Sequence, residues 1–233
     1  DCDLIPTAEP PMAAEPGMVL RHKYVVGGVP RNQVANAAEA MLNASATINV
    51  LQLAPVSLFN AFEFARPEVF DHEAFFLVDF GHTTSTMILG AKRELVLVRT
   101  IDFGGSSLLE SLATDSGESR EGVISALEHE DELMIENARV ALSVIAREVG
   151  SSIGFFEGRR EETIRRIFLS GGVAKSHALL KILSEELHMP CETWSAAARC
   201  EVNAGHRQEI DATGRALDLN VACGAAAELL TAE

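Results

Sequence analysis

The sequence predicts an α/β fold, and three observations carry the prediction. A continuous apolar run, Ala74 to Asp79, ends in an acid and suits a strand covered on both faces. Two more strand-like runs follow it at hairpin spacing. Beyond them helical periodicity takes over, broken once by a second strand, glycine turn and helix around Arg166–His188. With 47% hydrophobic and 23% charged residues, the 233-residue chain is ordinary for a globular protein. That balance excludes a disordered, collagen-like or disulfide-scaffold chain. At roughly 150 residues per domain, the length allows one large domain or two small ones.

In chain order, Asp1–Gly17 holds four of the eight prolines and reads as a linker or loop. Because the sequence begins at Asp1, it also reads as a piece lacking an N-terminal part. Met18–Val29 is extended, with Gly27-Gly28 interrupting it. Pro30 suits a first helical turn and opens a helix to about Asn43. Ile48–Leu53 reads as a short strand, and Pro55 starts a helix to about Phe64. Ala74–Asp79, Ser85–Leu89 and Glu94–Ile101 form a three-strand antiparallel meander. Gly104-Gly105 ends it, and Ser106 or Ser107 caps a helix to about Thr114.

Glu118–Glu136 carries seven acids and one base, Arg120, and reads as a solvated face. A long helix follows over about 132–157, with Met134, Ala138, Ala141, Ile145, Val149 and Phe156 at three- to four-residue spacing. Arg166–Leu169 is a strand, Lys175–His188 an amphipathic helix, and Arg215–Leu230 a last helix, broken or closely packed at Gly224. Trp194 reads as packing.

Nineteen basic against thirty-four acidic residues give a net charge of −15. Such a body repels phosphate backbones, which excludes nucleic-acid binding as its main task. No apolar run approaches the ~20 residues that span a bilayer. The four cysteines are scattered, without zinc-ligand spacing, and fit a reducing cytoplasm.

Three turns bear residue types suited to chemistry. Asp79-Phe80-Gly81-His82-Thr83-Thr84-Ser85 sits where the buried strand turns. Its carboxylate suits the water shell of Mg²⁺; Gly81 permits close backbone approach; Thr83, Thr84 and Ser85 suit a phosphate. His82 in this turn reads as a solvated histidine. Ser170-Gly171-Gly172 lets a flat ring lie on bare backbone before a helix N-terminus. Gly104-Gly105 is the third turn. Singly, each is also what a plain turn looks like; their order adds information.

That order resembles the second half of actin-like ATPases, and within them the PilM family of type IV pilus assembly. Phe76-Leu77-Val78-Asp79-Phe80-Gly81 resembles the family's second phosphate motif. Val98-Arg99-Thr100-Ile101-Asp102-Phe103-Gly104-Gly105 resembles its strand end, and Ile167-Phe168-Leu169-Ser170-Gly171-Gly172 its adenosine motif. The likeness covers roughly Met18–Leu230. It implies an actin-like (RNase H-like) fold in two halves, the first incomplete: a linker at 1–17, a small subdomain with connecting helix at 18–73, and a second half at 74–233 with a helical insert around 106–160.

By resemblance, Asp79, Gly81, Thr83, Thr84, Ser85, Gly104, Gly105, Gly171 and Gly172 would hold ATP, with Asp79 on Mg²⁺. Three departures weaken that expectation. The first phosphate motif is absent, the connecting segment reads Gln52-Leu53-Ala54 without a carboxylate, and no lysine occurs between Lys92 and Lys175. Nucleotide binding is then expected to be weak or lost, with no catalytic residue. The resemblance implies a cytoplasmic scaffold held at the inner membrane through partners. Those would be the cytoplasmic N-terminal peptide of an inner-membrane pilus protein and other pilus platform proteins, with no nucleic acid and no membrane span of its own. An active Mg-ATPase, and an actin-like component of cell division or type II secretion, are the alternatives.

Overall fold

The computed structural model describes residues 2–6 and 24–231. Strands β1 (Cys2–Pro6) and β2 (Tyr24–Gly28) pair antiparallel, Leu4 opposite Val26 and Ile5 opposite Val25. Within the stretch 1–17 expected as a linker or loop, Cys2–Pro6 is thus a strand; residues 7–17 lie outside the described residues. Helix α1 (Arg31–Asn43) starts directly after Pro30, as expected, but buries no residue. The strand expected over Ile48–Leu53 does not form. The segment pairs with no strand among the described residues, although Leu53 packs against Gly27 of β2, and Ile48, Val50 and Leu51 stay exposed.

Helices α2 (Ala54–Ala65) and α3 (Pro67–His72) lead into the sheet, each with proline in its first turn. The sheet comprises β3 (Ala74–Phe80), β4 (Ser85–Ala91), β5 (Glu94–Ile101), β6 (Ile167–Gly171) and β7 (Cys191–Thr193), in the order β5-β4-β3-β6-β7. β3 is central, antiparallel to β4 and parallel to β6, with Phe75, Phe76 and Leu77 fully buried. The buried mixed sheet expected from the apolar run is thus present. Lys92 and Arg93 close the β4–β5 hairpin with φ of 47° and 71°. Neither is glycine, and helix α3 supplies the anchorage. The Lys92 and Arg93 amides donate to Glu73 and Phe70 carbonyls, and the Arg93 guanidinium reaches Asp71 and Glu63 at 2.6 and 2.5 Å.

Alternation along the strands divides two cores. Phe76, Val78, Phe80, Met87, Leu89, Ile167 and Leu169 face α4 (Gly105–Ser116), α5 (Arg120–Glu128), α6 (Glu132–Glu157) and α7 (His177–Leu187). Phe75, Leu77, Ile88 and Phe168 face α2 and Trp194. α6 runs as its periodicity predicts. Its N-cap Asp131 accepts from the Met134 amide at 3.0 Å. Within the acidic run, α5 forms because Val123 and Leu127, one turn apart, are buried. Helix α8 (Ala204–Thr213) precedes the last segment. There the expected single helix begins as a 3-10 turn, Arg215–Asp218, before α9 (Asn220–Thr231). Gly224 does not break α9. A Cβ there would lie 1.7 Å from the Ser57 carbonyl oxygen, so the glycine lets α9 lie directly on the backbone of α2.

Candidate nucleotide site

Parallel pairing of β3 with β6 brings two of the three turns side by side, Asp79 opposite Ser170 and Phe80 opposite Gly171. The Ser170 hydroxyl donates to Asp79 Oδ1 at 2.6 Å. Burial raises the Asp79 pKa above the usual carboxylate value; the Ser170 bond opposes the rise, and the charge of Asp218 adds to it. Gly171 has φ of +81°, and a Cβ there would stand 2.2 Å from the Phe80 carbonyl. Only glycine fits. The Gly172 amide donates to that same carbonyl at 3.1 Å.

The third turn is stitched to the first. Gly105 and Ser106 amides donate to the Gly81 and His82 carbonyls at 2.9 and 2.8 Å, and Gly81 donates to Thr84 at 3.0 Å. Together the turns floor a cavity of about 830 Å³, walled by α4, α5 and the start of α7. Its size suits a small organic ligand.

Of the residues expected to bind, Asp79, Gly81, Gly105, Gly171 and Gly172 line the cavity. Thr83, Thr84, Ser85 and Gly104 are not among its walls. Ser85 is buried and its hydroxyl donates to the Phe103 carbonyl at 2.6 Å. Gly104 packs on the turn itself, where a Cβ would lie 2.5 Å from the His82 carbonyl. Thr84 lends its backbone carbonyl to the Gly81 amide. Gln52 is also elsewhere, its amide oxygen accepting from Ser57 at 2.5 Å.

Sequence reasoning missed Lys175 and Asp218, which line the cavity and pair with each other. It also missed Arg120 as a wall residue, held by Glu110 at 2.5 Å. Lys175, three residues beyond Gly172, was visible as a cation close to a glycine turn; its acid, 43 positions on, was not. Among the described residues no group of three or more His, Cys, Asp or Glu could hold a metal. The donor set nevertheless fits Mg²⁺ brought in by a nucleotide. That ion keeps waters and phosphate oxygens and needs only one or two carboxylates. Asp79 would be its protein ligand, and open space at Gly172 leaves room for a flat ring.

Comparison with known proteins places this geometry. The chain matches the family described as type IV pilus assembly protein PilM over residues 27–229. No curated protein matches it in sequence. It is similar to a chain of a PilM-PilN type IV pilus biogenesis complex at 19% identity and a TM-score of 0.73, covering 96% of this chain and 65% of that one. The ethanolamine utilization protein EutJ from Carboxydothermus hydrogenoformans matches at 19% identity and 0.55, over 72% of this chain and 57% of EutJ. MreB 5 of Spiroplasma citri bound to AMPPNP matches at 12% and 0.53, over 85% and 64%. This chain thus spans under two thirds of each. The likenesses establish the actin-like fold, and among the described residues no helix is long and apolar enough to cross a membrane. By its family match, the chain belongs to the PilM family of type IV pilus assembly proteins.

Proposed function

We propose that the chain is a scaffold of the pilus machine that binds the cytoplasmic N-terminal peptide of an inner-membrane pilus protein. Through that peptide and other platform proteins it would sit at the inner membrane. The family match and the PilM-PilN complex support the partner class, and they favour the pilus over cell division or type II secretion. In this reading nucleotide binding is weak or lost. One observation carries that part: both long cationic side chains lining the cavity are already paired, Lys175 to Asp218 and Arg120 to Glu110. An entering polyphosphate meets Asp79 and Asp218 with little uncompensated positive charge.

The Mg-ATPase reading is kept by the floor of the same cavity, where Asp79, Gly81 and the Ser170-Gly171-Gly172 turn stand together. Magnesium would supply charge neutralisation of the phosphates; Asp79 would hold it and Ser170 would orient Asp79. Calorimetric titration with ATP and Mg²⁺, together with phosphate release by wild type and Asp79→Ala, separates the two. Absent or weak heat without turnover is expected. Steady turnover lost in Asp79→Ala would install the ATPase. A labelled N-terminal peptide of the pilus partner, followed by fluorescence anisotropy, tests the scaffold: saturable binding is expected, and none would remove it.

A further inference from the structure

Two cysteines that lie apart in the sequence meet in the fold. Cys200 follows the 3-10 turn Ala197–Arg199, and its thiol donates to the Ala196 carbonyl at 3.6 Å. Its own carbonyl accepts from the Arg207 guanidinium of α8 at 2.7 Å. Cys223 lies in α9, one turn beyond Asn220, and packs against the aromatic core that holds Trp194 and Ala196. Asn220 joins the two regions. It is buried; its side-chain oxygen accepts from the Ala196 amide at 2.8 Å, and its side-chain nitrogen donates to the Trp194 carbonyl at 3.2 Å. The thiols of Cys200 and Cys223, both free and half-buried, stand within hydrogen-bonding reach of each other.

Cys191 is the contrast. Its thiol turns back to the Met189 carbonyl at 3.8 Å, and burial alone pushes it up to about 12. Cys223 is pushed up to about 11, first by burial and then by the charge and hydrogen bonding of Cys200.

We infer that Cys200 and Cys223 are a redox pair: oxidation by a small disulfide joins them in a reversible bond that staples α9 to residues 194–200. A disulfide forms only where two backbones already approach with converging side chains. The Asn220 bonds hold that approach in the reduced chain.

The order of attack follows from the surroundings. Cys223 is the poorer first nucleophile, because its thiolate is disfavoured both by burial and by its neighbour. Cys200 therefore loses its proton and attacks one sulfur of the small disulfide. That S–S bond breaks, and the departing thiolate takes up a proton. Cys200 is now an uncharged mixed disulfide, so its charge no longer opposes ionisation of Cys223. Cys223 loses its proton, attacks the Cys200 sulfur and expels the second small thiolate, which is protonated in turn. The protein gives up two electrons and two protons, and the small disulfide becomes two thiols. The new bond closes the loop over 200–223, which carries α8 and Asp218 at the cavity mouth. Closing such a loop restricts the unfolded chain, so the oxidised protein melts higher. In a reducing compartment a bond of this kind is transient.

The test incubates the full chain with oxidised glutathione, alkylates the remaining thiols in denaturant and maps tryptic peptides without reduction. Cleavage after Arg199, Arg207 and Arg215 puts Cys200 and Cys223 on separate peptides, 200–207 and 216–233. These two are expected as one linked species that dithiothreitol separates, with Cys191 recovered alkylated. The oxidised wild type should melt about 5 °C higher than the reduced chain. Cys223→Ser should stop at glutathione on Cys200, while Cys200→Ser should leave Cys223 a thiol; circular dichroism establishes that each folds. Recovery of both cysteines alkylated or both glutathionylated in wild type would overturn the inference. So would a bond made to Cys2 or Cys191 instead, an oxidised chain that melts no higher, or the reverse pattern in the two variants.

Discussion

Where α2 covers the central sheet, backbone meets backbone and ring meets ring. Phe62 sits 4.5 Å from Phe75, 4.8 Å from Phe168 and 5.1 Å from Trp194, and α9 lies on α2 with no room for a methyl group at Gly224. Across the sheet, near the carboxyl ends of β3 and β6, α4, α5 and α7 stand apart around a cavity of about 830 Å³. One face is closed by small residues and aromatic rings. The other is propped open by leucines and by helices from the insert. The difference shows how the fold divides its labour: rigidity on one side holds the strand ends in register, while loose cover on the other leaves space above them.

The largest expected effect breaks the closed face. Phe62 is fully buried, and Phe62→Ala should cost about 4 kcal/mol in urea unfolding. Leu109→Ala on the cavity wall should cost about 1 kcal/mol or less, since it faces open space. Equal losses would mean that the two faces contribute alike, and the contrast would fail. Next comes a test of sign. Ordinarily glycine to alanine in a helix interior stabilises by about 1 kcal/mol. Gly154→Ala in α6, where nothing lies within 4 Å, should follow that rule. Gly224→Ala should reverse it, losing about 2–3 kcal/mol as α9 is pushed off α2. Thermal melts of the two variants decide the matter.

The legible parts of this fold are those where a local pattern and a tertiary role agree. β3 and α6 announce themselves through an unbroken apolar run and a regular period, and Asp79 with Gly171 and Gly172 marks the cavity floor. Misreadings arise where a neighbour decides. Ile48–Leu53 has strand-forming residues but no ladder partner. Val123 and Leu127 are hidden among acids, and three-residue β7 is too short to signal. Ser85 looks like a phosphate ligand until the Phe103 carbonyl claims its hydroxyl. Lys175 and Asp218 form a pair only because the chain folds back, which no local spacing encodes.

On the open face the buried carboxylate gives a smaller, pH-dependent effect. Asp79 has its folded-state pKa raised, chiefly by burial. The folded chain therefore holds the proton more tightly than the unfolded chain, and ionisation opposes folding. That cost is absent below the unfolded value near 3.8 and grows as pH rises through the folded value. Asp79→Asn should raise the melting temperature at neutral pH, with the advantage shrinking as the solution is acidified. A difference in melting temperature independent of pH would show that Asp79 carries no such penalty.

The smallest effect on stability, and the sharpest on function, concerns the pair at the cavity mouth. Lys175 and Asp218 are partly exposed, at 33% and 41%, so their attraction is screened and contributes under about 1 kcal/mol. Asp218→Asn should leave the urea midpoint nearly unchanged. Its consequence lies in the cavity: the variant releases the Lys175 ammonium and removes a negative charge that bears on Asp79. Both changes favour a polyanion, so affinity for Mg²⁺-ATP should rise about three- to tenfold by calorimetry. Lys175→Ala removes the cation altogether and should lower affinity below wild type. If Asp218→Asn binds no better than wild type while Lys175→Ala binds no worse, the ion pair does not restrain the nucleotide. The open face would then be weak for reasons of shape alone, and the contrast with the closed face would rest on packing without charge.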